Sequence, residues 1–204
     1  MSIPPHPKLL QLKITLIGSK PTIWREMIVP AGYSFFDLHV AIQDIFDWHD
    51  CHLHQYFTES PYQRKTEYLR IAIPMPELED VIYERKEKLS QWFKKSKDTL
   101  WYEYDFGDSW MHEVRLKKIF PPHKTFRAPL LLDGERACPP DDCGGIGGYY
   151  DLLETLANPK SPDHKDMLEW LGIEKSSDFD PEQFDKDKVK FHDPKKRLKA
   201  FMGV

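Results

Sequence analysis

Cysteine is scarce in this chain, with only Cys51, Cys138 and Cys143 among 204 residues. An odd count in a chain long enough to bury its own core argues against a disulfide framework and points to reduced thiols. Long apolar runs are also missing: no stretch approaches the ~18 residues of a membrane span, and no basic segment leads into an apolar one at the N-terminus. The expectation is a soluble, cytoplasmic protein with no membrane partner. Positive charge is not in excess either. The 29 Lys and Arg stand against 33 Asp and Glu, a formal net charge of −4, so no global field draws phosphate backbones. Short internal repeats and low-complexity linkers are absent, and one compact domain over residues 1–204 is expected, with C-terminal helices from about 149.

What is present is patterned. Leu10, Leu12, Ile14 and Leu16 alternate with more polar positions, and a turn at 18–21 leads to a second run, Thr22 to Val29, which together read as a β-hairpin. Ser34 followed by Asp37 has the spacing of a capping box, and Phe35, Leu38, Ile42 and Phe46 recur at helical spacing, predicting a helix from about 35 to 46. Strands are expected at 51–59 and 68–73, around a polar loop containing Pro61. High helix propensity predicts a second helix from Glu77 to about Lys95. Thr99–Phe106 and Ser109–Ile119 read as strands joined by a tight turn at Asp105-Phe106-Gly107-Asp108. Alternation puts Trp110, His112, Val114 and Leu116 on one face of the second strand. Residues 120–142 read as a long proline-bearing loop, and helices are expected at about 149–157, 163–171 and 193–201. The fold class is therefore α+β, an antiparallel sheet from the order β-β-α-β-β-α-β-β with helices covering one face and a helical C-terminal segment.

Several constellations could carry chemistry. His52 and His54 are two apart, so a strand would put both imidazoles on one face, ~7 Å apart, within reach of one metal after side-chain rotation. The alternative is a pair of hydrogen-bonded histidines, and His49 and Asp50 could join either arrangement. Asp105, Asp108, His112 and Glu113 offer oxygen and nitrogen donors for a cation or an acid–base pair. As structural residues, the two aspartates would cap the hairpin turn, Gly107 would take a positive φ, and His112 would be a satisfied inward histidine. Cys138 and Cys143 have four residues between them, wider than a zinc knuckle, so a metal there would need histidines from elsewhere. Cys143 could instead be a nucleophile activated by the helix start that follows, with a base such as His112. The glycines of 144–148 have the look of a phosphate-cradling loop, but Asp141 and Asp142 precede them and no Gly-Lys-Ser or Gly-Lys-Thr ending follows. A tight loop packed on the aromatic hairpin is the simpler reading.

Nucleic-acid binding is a weaker alternative. Residues 81–97 carry six Lys or Arg against two Glu, and residues 186–199 seven against two Asp, but such runs are usually solvated faces. Trp101, Tyr102, Tyr104, Phe106 and Trp110 could stack bases, yet alternation assigns Tyr102, Tyr104 and Phe106 to one core-facing side, and acids surround them.

The segment Tyr104-Asp105-Phe106-Gly107-Asp108-Ser109-Trp110-Met111-His112 and the segment Cys138-Pro139-Pro140-Asp141-Asp142-Cys143-Gly144-Gly145, with Ile23-Trp24-Arg25, Val29-Pro30, Leu38-His39, Ile42-Gln43, Trp48, His52-Leu53-His54 and Gly148-Tyr149 in that family's order, resemble the plasmid ORF-three-like family. That family was first described from a root-inducing plasmid, and some members carry a mobile-element passenger label. The resemblance spans nearly the whole chain. One departure is Asp141, where Glu is expected, and it keeps the charge. The resemblance implies an α+β domain with an antiparallel sheet and no particular activity. No Ser-recombinase context or helix-turn-helix pattern supports strand exchange.

The reading that follows is a binding or interaction module for a protein or small molecule, with a polar cleft where the three motifs converge. Its binding-site candidates are Asp105, Asp108, Trp110, His112, Asp141, Asp142, Cys143 and Tyr149. The alternative is a metal-dependent hydrolase or nuclease using some of His52, His54, Asp105, Asp108, His112, Asp141 and Asp142 to hold a divalent ion that activates water. His52, His54, His112, Cys138 and Cys143 are the metal candidates, and a divalent metal is the one cofactor suggested. Nucleic acid remains the partner least favoured.

Overall fold

The computed structural model describes residues 8–62, 68–76, 78, 80–123, 126 and 129–202. Glu77 and Glu79, at the start of the predicted second helix, lie outside them, as do 63–67 in the Pro61 loop and 124–125 and 127–128 in the long loop. Alternating residues fold as the pattern predicts. Strand β1 (Leu9–Leu16) turns Leu10, Leu12, Ile14 and Leu16 into the core and pairs antiparallel with β2 (Trp24–Pro30), Leu12 opposite Met27. Helix α1 (Phe35–Phe46) starts on a reciprocal cap, Asp37 N–H donating to Ser34 Oγ at 3.2 Å and Ser34 N–H to Asp37 Oδ2 at 2.8 Å. It ends where Asp47 turns left-handed, φ 59°.

Strands β3 (His54–Phe57) and β4 (Arg70–Ala72) follow, shorter than the alternation suggested. β6 (Thr99–Tyr104) and β7 (Trp110–Phe120) form the predicted hairpin. Among the described residues the sheet has eight strands, with β5 (Ile82–Tyr83) and β8 (Leu130–Glu135) at its edges, in the order β5-β4-β3-β6-β7-β1-β2-β8, antiparallel except for β4 with β5. Two of those strands depart from expectation. β5 (Ile82–Tyr83) and the four-residue helix α2 (Leu89–Trp92) replace the long second helix. Tertiary pairing overrides propensity there: Ile82 and Tyr83 add a parallel edge beside Ile71 and Ala72, while Leu89 and Ser90 donate backbone N–H groups to Tyr33 and Ala31. β8 (Leu130–Glu135) lies within the predicted long loop and closes the other edge against β2.

Every residue of α1 except Asp37 is buried. Its inner side packs Phe35, Leu38, Ile42 and Ile45 on the sheet, each buried side chain contributing ~1.5–3 kcal/mol. Its outer side is covered by α5 (Pro194–Met202) and the segment before it: Asp44 accepts from His192 N and Nδ1, both 2.7 Å, and Arg197 Nη2 at 3.3 Å. The opposite face of the sheet is polar, with Gln11 donating to Glu26 and Lys13 over the Trp24 ring. Helices α3 (Gly145–Ala157) and α4 (His164–Leu171) complete the chain, α3 beginning before the expected 149. No described helix is long and apolar enough to cross a membrane.

Candidate functional site

The hairpin turn is built by Asp105 and Ser109 rather than by its glycine. Asp105 and Ser109 take the positive φ angles, 56° and 52°, while Gly107 does not. Asp105 Oδ1 accepts the Gly107 N–H at 2.9 Å, leaving Oδ2 directed elsewhere. Because the chain leaves the strand at Asp105, Phe106 falls out of the alternation and is 39% exposed instead of joining Tyr102 and Tyr104 in the core. Asp108 does not cap the hairpin. Its Oδ2 accepts Gly144 N–H at 3.0 Å, tying the hairpin to the start of α3. That approach explains the glycines: a Cβ on Gly145, at φ +67°, would lie 2.4 Å from the Asp108 carbonyl oxygen, and one on Gly148 would lie 1.9 Å from that of Cys143. Gly145 thus lets the helix start pack on the hairpin, and Gly148 lets it close on its own loop at Cys143.

The third motif, His52-Leu53-His54, meets the same turn from β3. Leu53 C=O accepts Asp105 N–H at 2.9 Å. His52 lies just before the strand, its Nε2 3.0 Å from Asp142 Oδ1 and 3.8 Å from Asp105 Oδ2. Among the described residues, His52, Asp105 and Asp142 are the one set of three whose ligand-type atoms all lie within 4.8 Å of one another. One residue comes from each motif. Beside them, Leu53 at 42% exposure and Phe106 are the two large apolar side chains left to solvent.

His52 and His54 both face the Tyr102 and Tyr104 side of β6, but the pair does not converge on one point, and His54 is not part of that set. Its imidazole stacks on His39 of α1, ring centroids 3.4 Å apart and 4° from parallel. Its Nε2 is 2.7 Å from Glu84 Oε2, while His39 contacts Asp50 Oδ1 at 2.7 Å and the Tyr102 hydroxyl at 2.8 Å. Burial first, then the His54 charge, pushes His39 down to about 4. Burial would raise Asp50, but its His39 hydrogen bond and the charges of His39, His54 and Arg197 outweigh that and hold it low. Sequence reasoning missed Glu84 and His39, and named Asp50 only as an addition to the His52/His54 arrangement. His39 at an inward helix position was the one available signal.

Trp110, His112 and Tyr149 are buried and do not line an open surface. His112 sits among Phe46, Trp48 and Tyr102, ring centroids 4.8, 5.3 and 5.5 Å away, and neither ring nitrogen has a well-formed hydrogen bond. It is inward as predicted but unsatisfied. Desolvation drives its pKa to about 3, offset only weakly by the backbone of Trp110 and Tyr102, so it is a neutral core imidazole rather than a proton carrier. The thiols of Cys138 and Cys143 are held protonated for a related reason. Desolvation, reinforced by Asp108, Asp141 and Asp142, pushes Cys143 up to about 12, and burial raises Cys138 well above the ordinary thiol range. The helix start beside Cys143 does not overcome this. His112, Cys138 and Cys143 also stay outside the three-residue donor set.

A cleft of about 910 Å³ is present, but it does not open between hairpin and His52. It lies on the other side of the 137–142 loop, between that loop, the end of α1 and the segment 183–197. Asp141 and Asp142 belong to its wall, and Asp141 Oδ2 accepts from His49 N and Nδ1 at 3.0 and 3.1 Å. Its charge is mixed, Lys188, Lys190 and Arg197 against Asp44, Asp47, Asp141, Asp142 and Asp185. At its base Arg25 is buried between the Phe46 and Phe184 rings and donates to the carbonyls of Trp24, Ile45, Glu135 and Arg136 at 2.8–2.9 Å. The Trp24-Arg25 pair is therefore a structural lock joining β2, α1 and the end of β8. An arginine at a core-facing strand position was its sequence signal.

Comparison with known proteins agrees with this architecture. A family model described as plasmid pRiA4b ORF-3-like protein matches residues 8–188. A curated protein of Sinorhizobium fredii (strain NBRC 101917 / NGR234), uncharacterized protein y4hQ, is 32% identical over 174 residues, covering 84% of each chain. The crystal structure of a protein of unknown function, MM3350 from Methanosarcina mazei Go1, superposes with a TM-score of 0.77 at 38% identity, covering 90% of this chain and 98% of that one.

Proposed function

Because the chain belongs to the plasmid pRiA4b ORF-3-like family, and its three separated motifs meet at one surface, we propose that it is a binding module whose binding face is this junction. The observation that carries the reading is the convergence of His52, Asp105 and Asp142, one from each motif. Asp105 is buried and His52 half-buried, but Asp142 is exposed, and Leu53 and Phe106, next in sequence to His52 and Asp105, are exposed as well. The cleft across the 137–142 loop extends this face, since Asp141 and Asp142 belong to its wall.

A photoreactive phenylalanine analogue at position 106, compared with one at position 130 on β8, tests the reading in cells expressing the full chain. Leu130 is likewise exposed, which makes it a control for random collision. Discrete adducts from 106 and none from 130 are expected. Equal yields, or no adduct from 106, would remove the junction as the binding face.

Metal-dependent hydrolysis is the second reading. An imidazole and two carboxylates approaching one point, open to solvent on one side, favour it over chemistry at cysteine, because both motif thiols are held protonated.

A further inference from the structure

On the reading that this junction is the binding face, we propose that His52, Asp105 and Asp142 together bind one first-row divalent cation, with zinc as the type ion. Donors around an ion at ~2.1 Å stand ~3 to 3.5 Å apart. His52 Nε2 and Asp142 Oδ1 are already at 3.0 Å, and His52 Nε2 and Asp105 Oδ2 at 3.8 Å, with all three atoms inside 4.8 Å. Closing on an ion requires shifts of under ~1.5 Å, within side-chain rotation.

Hydrogen bonding within the cluster does not account for it. Although 3.0 Å from Asp142, the His52 Nε2 atom is buried and has no partner at hydrogen-bond geometry. The two carboxylates face that one imidazole, and no described Lys or Arg forms an ion pair with either. A cation at the point they share supplies the missing charge and uses the lone pair that the imidazole leaves undirected.

Supporting contacts orient the donors. Asp105 Oδ1 is fixed by Gly107 N–H, so Oδ2 turns to the site. The His52 ring packs edge-on to Tyr104 at 5.7 Å, and Cys51 N–H donates to the Tyr104 hydroxyl at 3.2 Å, anchoring the residue before it. Mixed imidazole and carboxylate donors suit zinc, manganese or iron better than magnesium or calcium. Three protein donors leave a coordination position for an outside ligand. Asp142, at 63% side-chain exposure, leaves the cluster open to solvent, and Leu53 and Phe106, next in sequence to His52 and Asp105, are exposed. The ligand class this predicts is a lone-pair donor such as a carboxylate carried on an apolar body.

The test is titration of chelator-stripped full chain with Zn²⁺ by calorimetry and with Co²⁺ by its visible absorption, in the wild type, Asp142→Asn, His52→Gln and the control His49→Ala. About one equivalent is expected. Both site variants should lose more than the ~10–100-fold that removal of an outer-shell partner costs, while His49→Ala, whose imidazole is 85% exposed on Asp141, binds as the wild type does. Asp142→Asn changes an exposed side chain, so an unaltered metal-free melting curve confirms its fold. Absence of saturable binding, or equal binding by Asp142→Asn, overturns the proposal. So does metal-independent stability that Asp142→Asn shifts with pH, because a protonated His52 would then be the cation. If the cation fails while crosslinking from position 106 persists, the binding face stands without its metal; the reverse result removes the face and keeps the ion.

Discussion

Acidification should unfold this protein through His112, and one substitution isolates the effect. The folded state keeps His112 neutral down to about 3, whereas the unfolded chain protonates it near 6.5. The folded pKa is therefore depressed. Between those values the unfolded state binds one more proton at this residue, so its contribution to stability is complete above 6.5 and falls by ~1.4 kcal/mol per pH unit as pH drops toward 3. At pH 5 the loss from this one group is ~2 kcal/mol, a large share of the ~5–15 kcal/mol that a domain possesses. His112→Leu removes the titration and two buried nitrogens without hydrogen bonds, at similar volume. At pH 7.5 it should lie within ~1.5 kcal/mol of the wild type. At pH 5 it should have gained ~2 kcal/mol relative to the wild type. Urea unfolding of both proteins at matched pH values measures the difference, in which every other titrating group cancels. His39, pushed down to about 4, adds slope to both curves alike. Parallel stability curves would refute the reasoning, because they would mean that the folded core accepts a proton at His112.

Two further outcomes follow from the packing around the Cys138–Gly148 segment. Gly145→Ala should destabilise by more than ~2 kcal/mol, since a Cβ at φ +67° would stand 2.4 Å from the Asp108 carbonyl oxygen; Gly147→Ala, with nothing within 4 Å of its Cβ and a helical position, should be neutral or stabilise by up to ~1 kcal/mol. Chemical denaturation of the pair checks both signs. Under native conditions at pH 8, a thiol reagent should modify Cys51, which is exposed, and spare Cys138 and Cys143, whose thiols burial holds protonated. Mass mapping of the labelled peptides reads this directly, and rapid labelling of Cys143 would reopen the nucleophile reading.

What the sequence made legible depended on whether the information was local. The Ser34–Asp37 cap and the helical spacing of α1 are complete within one segment, and the helix runs from Phe35 to Phe46 as expected. The alternation of β1 and β7 likewise settles which face is buried. The segment 77–95 failed because its helix propensity competes with partners far away in the chain: β5 needs the edge of β4, and Glu84 is buried against His54, thirty residues earlier. The same contact misled the reading of His52 and His54. Period-two spacing joins them only if both belong to the strand, but His54 is drawn inward to Glu84 and His39 while His52 remains in the approach to β3. The three motifs were identifiable as unusual residues, yet their roles separate only in space. Trp110, His112 and Tyr149 are taken up by the core, Gly145 packs on the hairpin at Asp108, and Asp105 and Asp142 are the acids left facing His52. Motif membership therefore marks the region, and the donors within it are the polar side chains that packing does not consume.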